Sequence, residues 1–188
     1  MRIKKWIVAT LCAGSIAMAG GDYVAVSGSN TGYHDGGFIG VRGSYVFSIQ
    51  SSILGMPGGG FWDDSYDGNG GSFGAEIGGQ EGQWRAILSY DYFDKEDQNY
   101  DLFMGEMDYF LLENPGSLQP YLGLNAGWLS YETTGADDSN GLAYGGTLGV
   151  VFRVGEKVDL DLSARYLFAA QDEVDHIGSV NFAISYFY

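Results

Sequence analysis

Four arginines and six acids stand inside segments that alternate bulky apolar with small or polar residues: Arg42, Arg85, Arg153 and Arg165, with Glu76, Asp91, Glu106, Asp108, Asp159 and Asp161. In 158–168, Asp159, Asp161, Ser163 and Arg165 share one parity, and Val158, Leu160, Leu162, Ala164, Tyr166 and Phe168 the other. Successive strand residues point to opposite faces, so all ten charges fall on the less apolar face. The chemistry open to them is guanidinium–carboxylate pairing. Arg153 and Asp159 flank 155–157 symmetrically and are expected as direct cross-strand neighbours. Glu76 and Arg85 are expected to be similarly close across 80–83. Two uses remain open at this stage: a structural fill of an enclosed interior, or a narrow proton or ion path along the charges.

Other chemistry has less to work with. His176 and Ser179 are three residues apart, which in a strand sends them to opposite sides, and His34 is the only other histidine. The stretch DDSYDGNGG, Asp63 to Gly71, imitates the start of a calcium loop. Its twelfth position is Gly74, where a bidentate Glu is required. Cys12 is the only cysteine, so a disulfide or a cysteine-based site is not expected. No catalytic, cofactor-binding or metal residues are therefore assigned.

The elements that must carry the charges are strands. The 188 residues include 31 Gly, 14 Tyr, 11 Phe and only 3 Pro, a composition suited to turn-rich β structure. Alternation predicts eight strands at about 37–51, 71–79, 84–93, 99–112, 119–131, 142–154, 158–168 and 177–188. Short connections (80–83, 113–118, 155–157) alternate with longer polar ones (52–70, 94–98, 132–141, 169–176), of which 94–98 is short for its set. This is the pattern of an all-β, eight-stranded antiparallel up-and-down transmembrane β-barrel. A soluble, lipocalin-like barrel would turn its greasy face inward. The apolar parity here carries more Trp, Tyr, Phe and Leu than a small barrel encloses, whereas Gly and Ser crowd the other parity. Bulky side chains are therefore predicted to face lipid.

The first nineteen residues read as an export signal: basic Arg2, Lys4 and Lys5, apolar Trp6 to Met18, and the small-residue site Ala17-Met18-Ala19. Removing those three bases deepens the net charge from −15 to −18. That balance argues against nucleic acid as a partner. The expected organisation is a signal peptide at 1–19, a leader at 20–36 and a barrel at 37–188. Tyr23 to Val26 leaves three options for the leader: a periplasmic stub, an interior tuck or a first strand.

With the signal, the eight segments, the interior charges and the ending FAISYFY in place, the chain resembles the small eight-stranded outer-membrane barrels, the OmpA transmembrane domain, OmpX and Opa-like group. The resemblance implies that the aromatic last strand, through Ile184, Tyr186 and Tyr188, is an insertion signal read by the barrel assembly machinery. It also implies location in the outer membrane of a Gram-negative bacterium after signal cleavage. The expected partners are outer-membrane lipid and lipopolysaccharide, with an unidentified surface partner at the acidic loops. The expected role is structural, in envelope integrity or surface interaction. A narrow channel is the alternative, and a lipid-modifying enzyme the third reading.

Overall fold

In the computed structural model the described residues are 34–50, 70–95, 98–113, 116–133, 139–170 and 176–188. They form eight strands: β1 (Gly36–Gln50), β2 (Gly70–Glu81), β3 (Trp84–Lys95), β4 (Gln98–Phe110), β5 (Leu118–Thr133), β6 (Ser139–Arg153), β7 (Val158–Ala169) and β8 (His176–Phe187). Each predicted segment coincides with one strand, its ends moved by no more than three residues. The expected signal at 1–19, most of the leader and the calcium-loop imitation at 63–69 lie outside the described residues.

Every strand pairs antiparallel with its sequence neighbour, and β1 pairs with β8 to close the barrel. The ring is thus complete from Gly36 onward without Tyr23 to Val26 as a strand. Between β1 and β8 the register slips by one residue between Val46 and Ser48, which leaves Phe47 as a bulge. The β2–β3 connection is tight. Glu81 faces Trp84 across a turn in which Gly82 has φ +55°, a conformation that costs glycine little. The β2–β3, β4–β5 and β6–β7 connections lie at one end, here called the turn end. The other is the loop end.

The faces fall as the alternation predicts. Leu162 and Leu124 are exposed at 46% and 75%, while Ser163 and Arg165 are buried. Outward residues from Leu118 to Trp128 span about 25 Å along the axis, taking about 3.4 Å per residue and a tilt of about 40°. Rings mark both edges of that band. Trp84 packs on Tyr109 at 4.9 Å near the turn end, where Lys157 also covers the Tyr186 ring. Near the loop end Phe73 meets Tyr92, and Tyr144, Phe168, Tyr166 and His176 form a pile. These are the girdles expected at two membrane interfaces.

Candidate functional site: a layered ionic lumen

The inward face begins and ends apolar. At the loop end Val46, Phe93, Tyr100, Leu102, Met104, Leu129, Leu167 and Ile177 form one buried cluster, with Phe93 stacked on Tyr100 at 4.9 Å. Toward the turn end Phe38, Ile87 and Phe187 form a second cluster, and Phe110, Tyr121 and Val151 a third. Tyr121 lies over Gly149, where an added Cβ would come within 2.5 Å of the ring. These layers are not expected from the alternation, because the inward parity reads as the polar one. Their signal was there: Phe93 continues the parity of Arg85 and Asp91, and Leu102 and Met104 that of Glu106 and Asp108.

Between the layers the predicted charges meet in two groups. In the first, the Arg42 guanidinium from β1 donates through Nη2 to Glu76 Oε2 at 2.9 Å and through Nη1 to Ser89 Oγ at 3.2 Å. The same guanidinium lies 3.7 Å from Asp91 and 4.0 Å from Glu106. Arg165, reaching across from β7, donates to Glu106 Oε2 at 2.7 Å and to Asp91 Oδ2 at 3.4 Å. Ser185 Oγ donates to Glu76 Oε1 at 2.7 Å. Asn125 sits between Glu106 and Thr147; with its amide nitrogen donating to Glu106 Oε2 at 2.9 Å, its oxygen accepts from the Thr147 hydroxyl at 2.9 Å and the Thr147 amide at 3.3 Å. A cavity of about 10 Å³, bounded by Ser44, Ser72, Asp91, Tyr100 and Arg165 among others, has room for about one water.

The second group surrounds Arg85. Its Nε donates to Asp108 Oδ2 at 2.8 Å and its Nη2 to Asp161 Oδ2 at 2.7 Å. The Tyr121 hydroxyl donates to Asp161 Oδ1 at 2.9 Å, and the guanidinium lies 4.6 Å from the centre of the Tyr121 ring. These side chains are almost fully enclosed: Arg85 is 3% exposed and Asp108 0%. At such depth an arginine is tolerable only with its donors on carboxylates.

One expected pairing is corrected. Arg85 faces Gln80 across the β2–β3 ladder, while Glu76 faces Ser89 and takes Arg42 as its ionic partner. The two-residue turn at Gly82–Gln83 sets this register, which leaves Glu76 four residues too far along to oppose Arg85. Arg153 and Asp159 do stand opposite each other, as expected. Asp159, however, is approached by His34 Nδ1 at 3.0 Å. His34 lies at the turn end against Phe187, with ring centres 5.1 Å apart. Asp35 beside it accepts a hydrogen bond from the Gly82 amide at 2.8 Å. Burial holds the His34 pKa below the usual histidine value. The Asp159 carboxylate opposes that shift, and Arg153 adds to it.

The remaining sequence candidates separate. His176 stacks on Tyr166 on the outer surface, whereas Ser179 is buried inside and donates to Asn181. Ile184, Tyr186 and Tyr188 all face outward. Among the described residues, no group of three or more His, Cys, Asp or Glu could hold a metal ion.

A closed eight-stranded ring, greasy outside and ionic within, is the architecture of the small outer-membrane β-barrels, and this chain has that fold. It is similar to Neisserial surface protein A: 17% identity, TM-score 0.61, covering 81% of this chain and 97% of that one. It is similar also to outer membrane protein H (OprH) of P. aeruginosa, at 19% identity and TM-score 0.57, with 82% and 99% covered. The N-terminal β-barrel domain of Pseudomonas aeruginosa OprF matches at 10% identity and TM-score 0.55, with 79% and 97% covered. Neither a protein-family profile nor a curated protein sequence matches the chain.

Proposed function

We propose that this chain is a non-catalytic outer-membrane barrel of a Gram-negative bacterium, with a lumen filled by its own side chains. Its role is in envelope integrity or surface interaction. The observation that carries the reading is the pair of buried ionic groups, in which Arg42, Arg85 and Arg165 each reach carboxylates on other strands between apolar layers. Such a lumen suits a strut better than a conduit, because an ion entering it would have to replace contacts of 2.7–2.9 Å. The outward rings and the apolar band of about 25 Å support placement in a bilayer.

Around that strut, Ile184, Tyr186 and Tyr188 serve as the closing-strand signal for the barrel assembly machinery. Acidic groups beyond the loop-end girdle, such as exposed Asp94, serve lipopolysaccharide through bridging divalent cations, or a basic surface partner. Planar-bilayer recording on refolded protein tests the reading. Silence is expected. Steady conductance that changes with Arg85 or Glu106 substitution would establish the channel instead. A lipid-modifying activity would show as an altered acyl pattern after incubation with lipid A; an unchanged pattern is expected.

A further inference from the structure

The two ionic groups do not balance. Arg42, Arg85 and Arg165 are three buried cations, while Glu76, Asp91, Glu106, Asp108 and Asp161 are five buried carboxyl groups. Uncompensated charge at that depth is strongly unfavourable, so further positive charge must enter.

The geometry shows where one such charge belongs. Glu106 and Asp108 are two residues apart on the inward face of β4, and both carboxyl groups turn toward Gly123 on the neighbouring strand. Their outer oxygens are taken: Glu106 Oε2 receives Arg165, and Asp108 Oδ2 receives Arg85. The other two, Glu106 Oε1 and Asp108 Oδ1, converge above Gly123 on β5, the residue register-paired with Asp108. There a Cβ would overlap Asp108 Oδ1, so glycine is what admits the pair. Asp108 Oδ1 is buried and has no N–H or O–H donor. A buried carboxylate oxygen without a donor does not stand beside a second carboxylate unless something positive lies between them.

We propose that Glu106 and Asp108 form a proton-binding site, holding one hydrogen between Glu106 Oε1 and Asp108 Oδ1. The surrounding charges place it on Asp108. Glu106 has Arg165 at 2.7 Å and Arg42 at 4.0 Å, whereas Asp108 has Arg85 alone, which is also bound to Asp161. Asn125 and the Tyr121 hydroxyl from β5, Asp91 from β3, Glu76 from β2 and Asp161 from β7 are the other polar groups around the cluster, and none of them supplies a cation. The site rests on the filled-lumen reading, and it turns the plug from a set of ion pairs into a plug with a titratable hydrogen at its centre.

Infrared spectroscopy of the folded barrel in micelles at neutral pH tests this directly. The carbonyl stretch of a protonated carboxyl group is expected, shifted in deuterated buffer and abolished by Asp108→Asn. An amide there still accepts from Arg85 and donates to Glu106, so the Asn variant should keep the wild-type urea midpoint, while Asp161→Asn lowers it. Absence of the band in the wild type would overturn the site even if no variant folds. So would its persistence in Asp108→Asn, or a wild-type midpoint that depends on sodium against choline chloride and loses that dependence in Asp108→Asn. Bilayer silence without the band would sink only this site. Conductance with the band would sink only the filled lumen.

Discussion

Met104 and Glu106 are neighbours on the inward face of one strand, yet they belong to opposite kinds of interior. Around Met104 the lumen is filled by Phe93, Tyr100, Leu102 and Leu129, which need only fit. Around Glu106 it is filled by arginines and acids, each of which needs a particular partner. A packed apolar layer loses energy in proportion to the volume removed. An ionic layer is asymmetric: the intact pairs add little, but a broken pair leaves a buried charge with no partner. The difference teaches that the stability of this barrel is spread out at the loop end and concentrated in a few contacts at the middle.

The largest expected effect comes from breaking the ionic layer at its most shared member. Arg85→Met strands Asp108 and Asp161 together and should lower stability in detergent by about 3–5 kcal/mol, read from urea-induced loss of the heat-modifiable gel band. Met104→Ala in the apolar layer should cost roughly 3 kcal/mol and leave the lumen charges undisturbed. If the two losses prove equal and additive with their neighbours, the contrast between layers fails. Moving the charge outside sharpens it further: Leu162→Arg should cost about 2–4 kcal/mol near the midplane and reduce membrane insertion, far more than Ser163→Ala on the opposite face. Equal membrane yields would mean that the faces are reversed.

The turn end should respond least. Asp35→Ala removes one exposed hydrogen bond to Gly82 and should cost about 1 kcal/mol or less. His34 adds a small pH term whose sign follows from its lowered pKa. Below the ordinary value of 6.5 the unfolded chain takes up the proton before the folded one, so stability falls as pH drops through that value. The urea midpoint of His34→Gln should therefore depend less steeply on pH across this range than that of the wild type.

Much of this was legible from alternation alone. Leu162 against Ser163, or Trp84 against Arg85, fixes which way each strand faces, and most connections are short enough to join only neighbouring antiparallel strands. All ten predicted charges lie on the inward parity. Which of them pair was much less legible. Arg153 opposite Asp159 follows from local symmetry, but Arg85 with Asp161 spans the lumen between residues 76 apart, and Arg42 with Glu76 depends on the β1–β2 register. Those contacts exist only once the ring has closed. The apolar layers escaped for another reason: Phe38, Leu167 and Phe187 differ from outward residues in parity but not in chemistry. His34 carried no signal at all, since nothing in the residues around it announces Asp159 or Phe187 as neighbours.

The hydrogen-bonded union of β1 with β8 has a consequence for biogenesis. The ladder cannot be finished strand by strand in order of synthesis, because the earliest-made edge waits for the latest-made one. Until that final zippering two raw borders stand open to premature association with other chains. Once joined, the cylinder has no seam, so unravelling must start wherever the weave is weakest, with no built-in preference for either extremity.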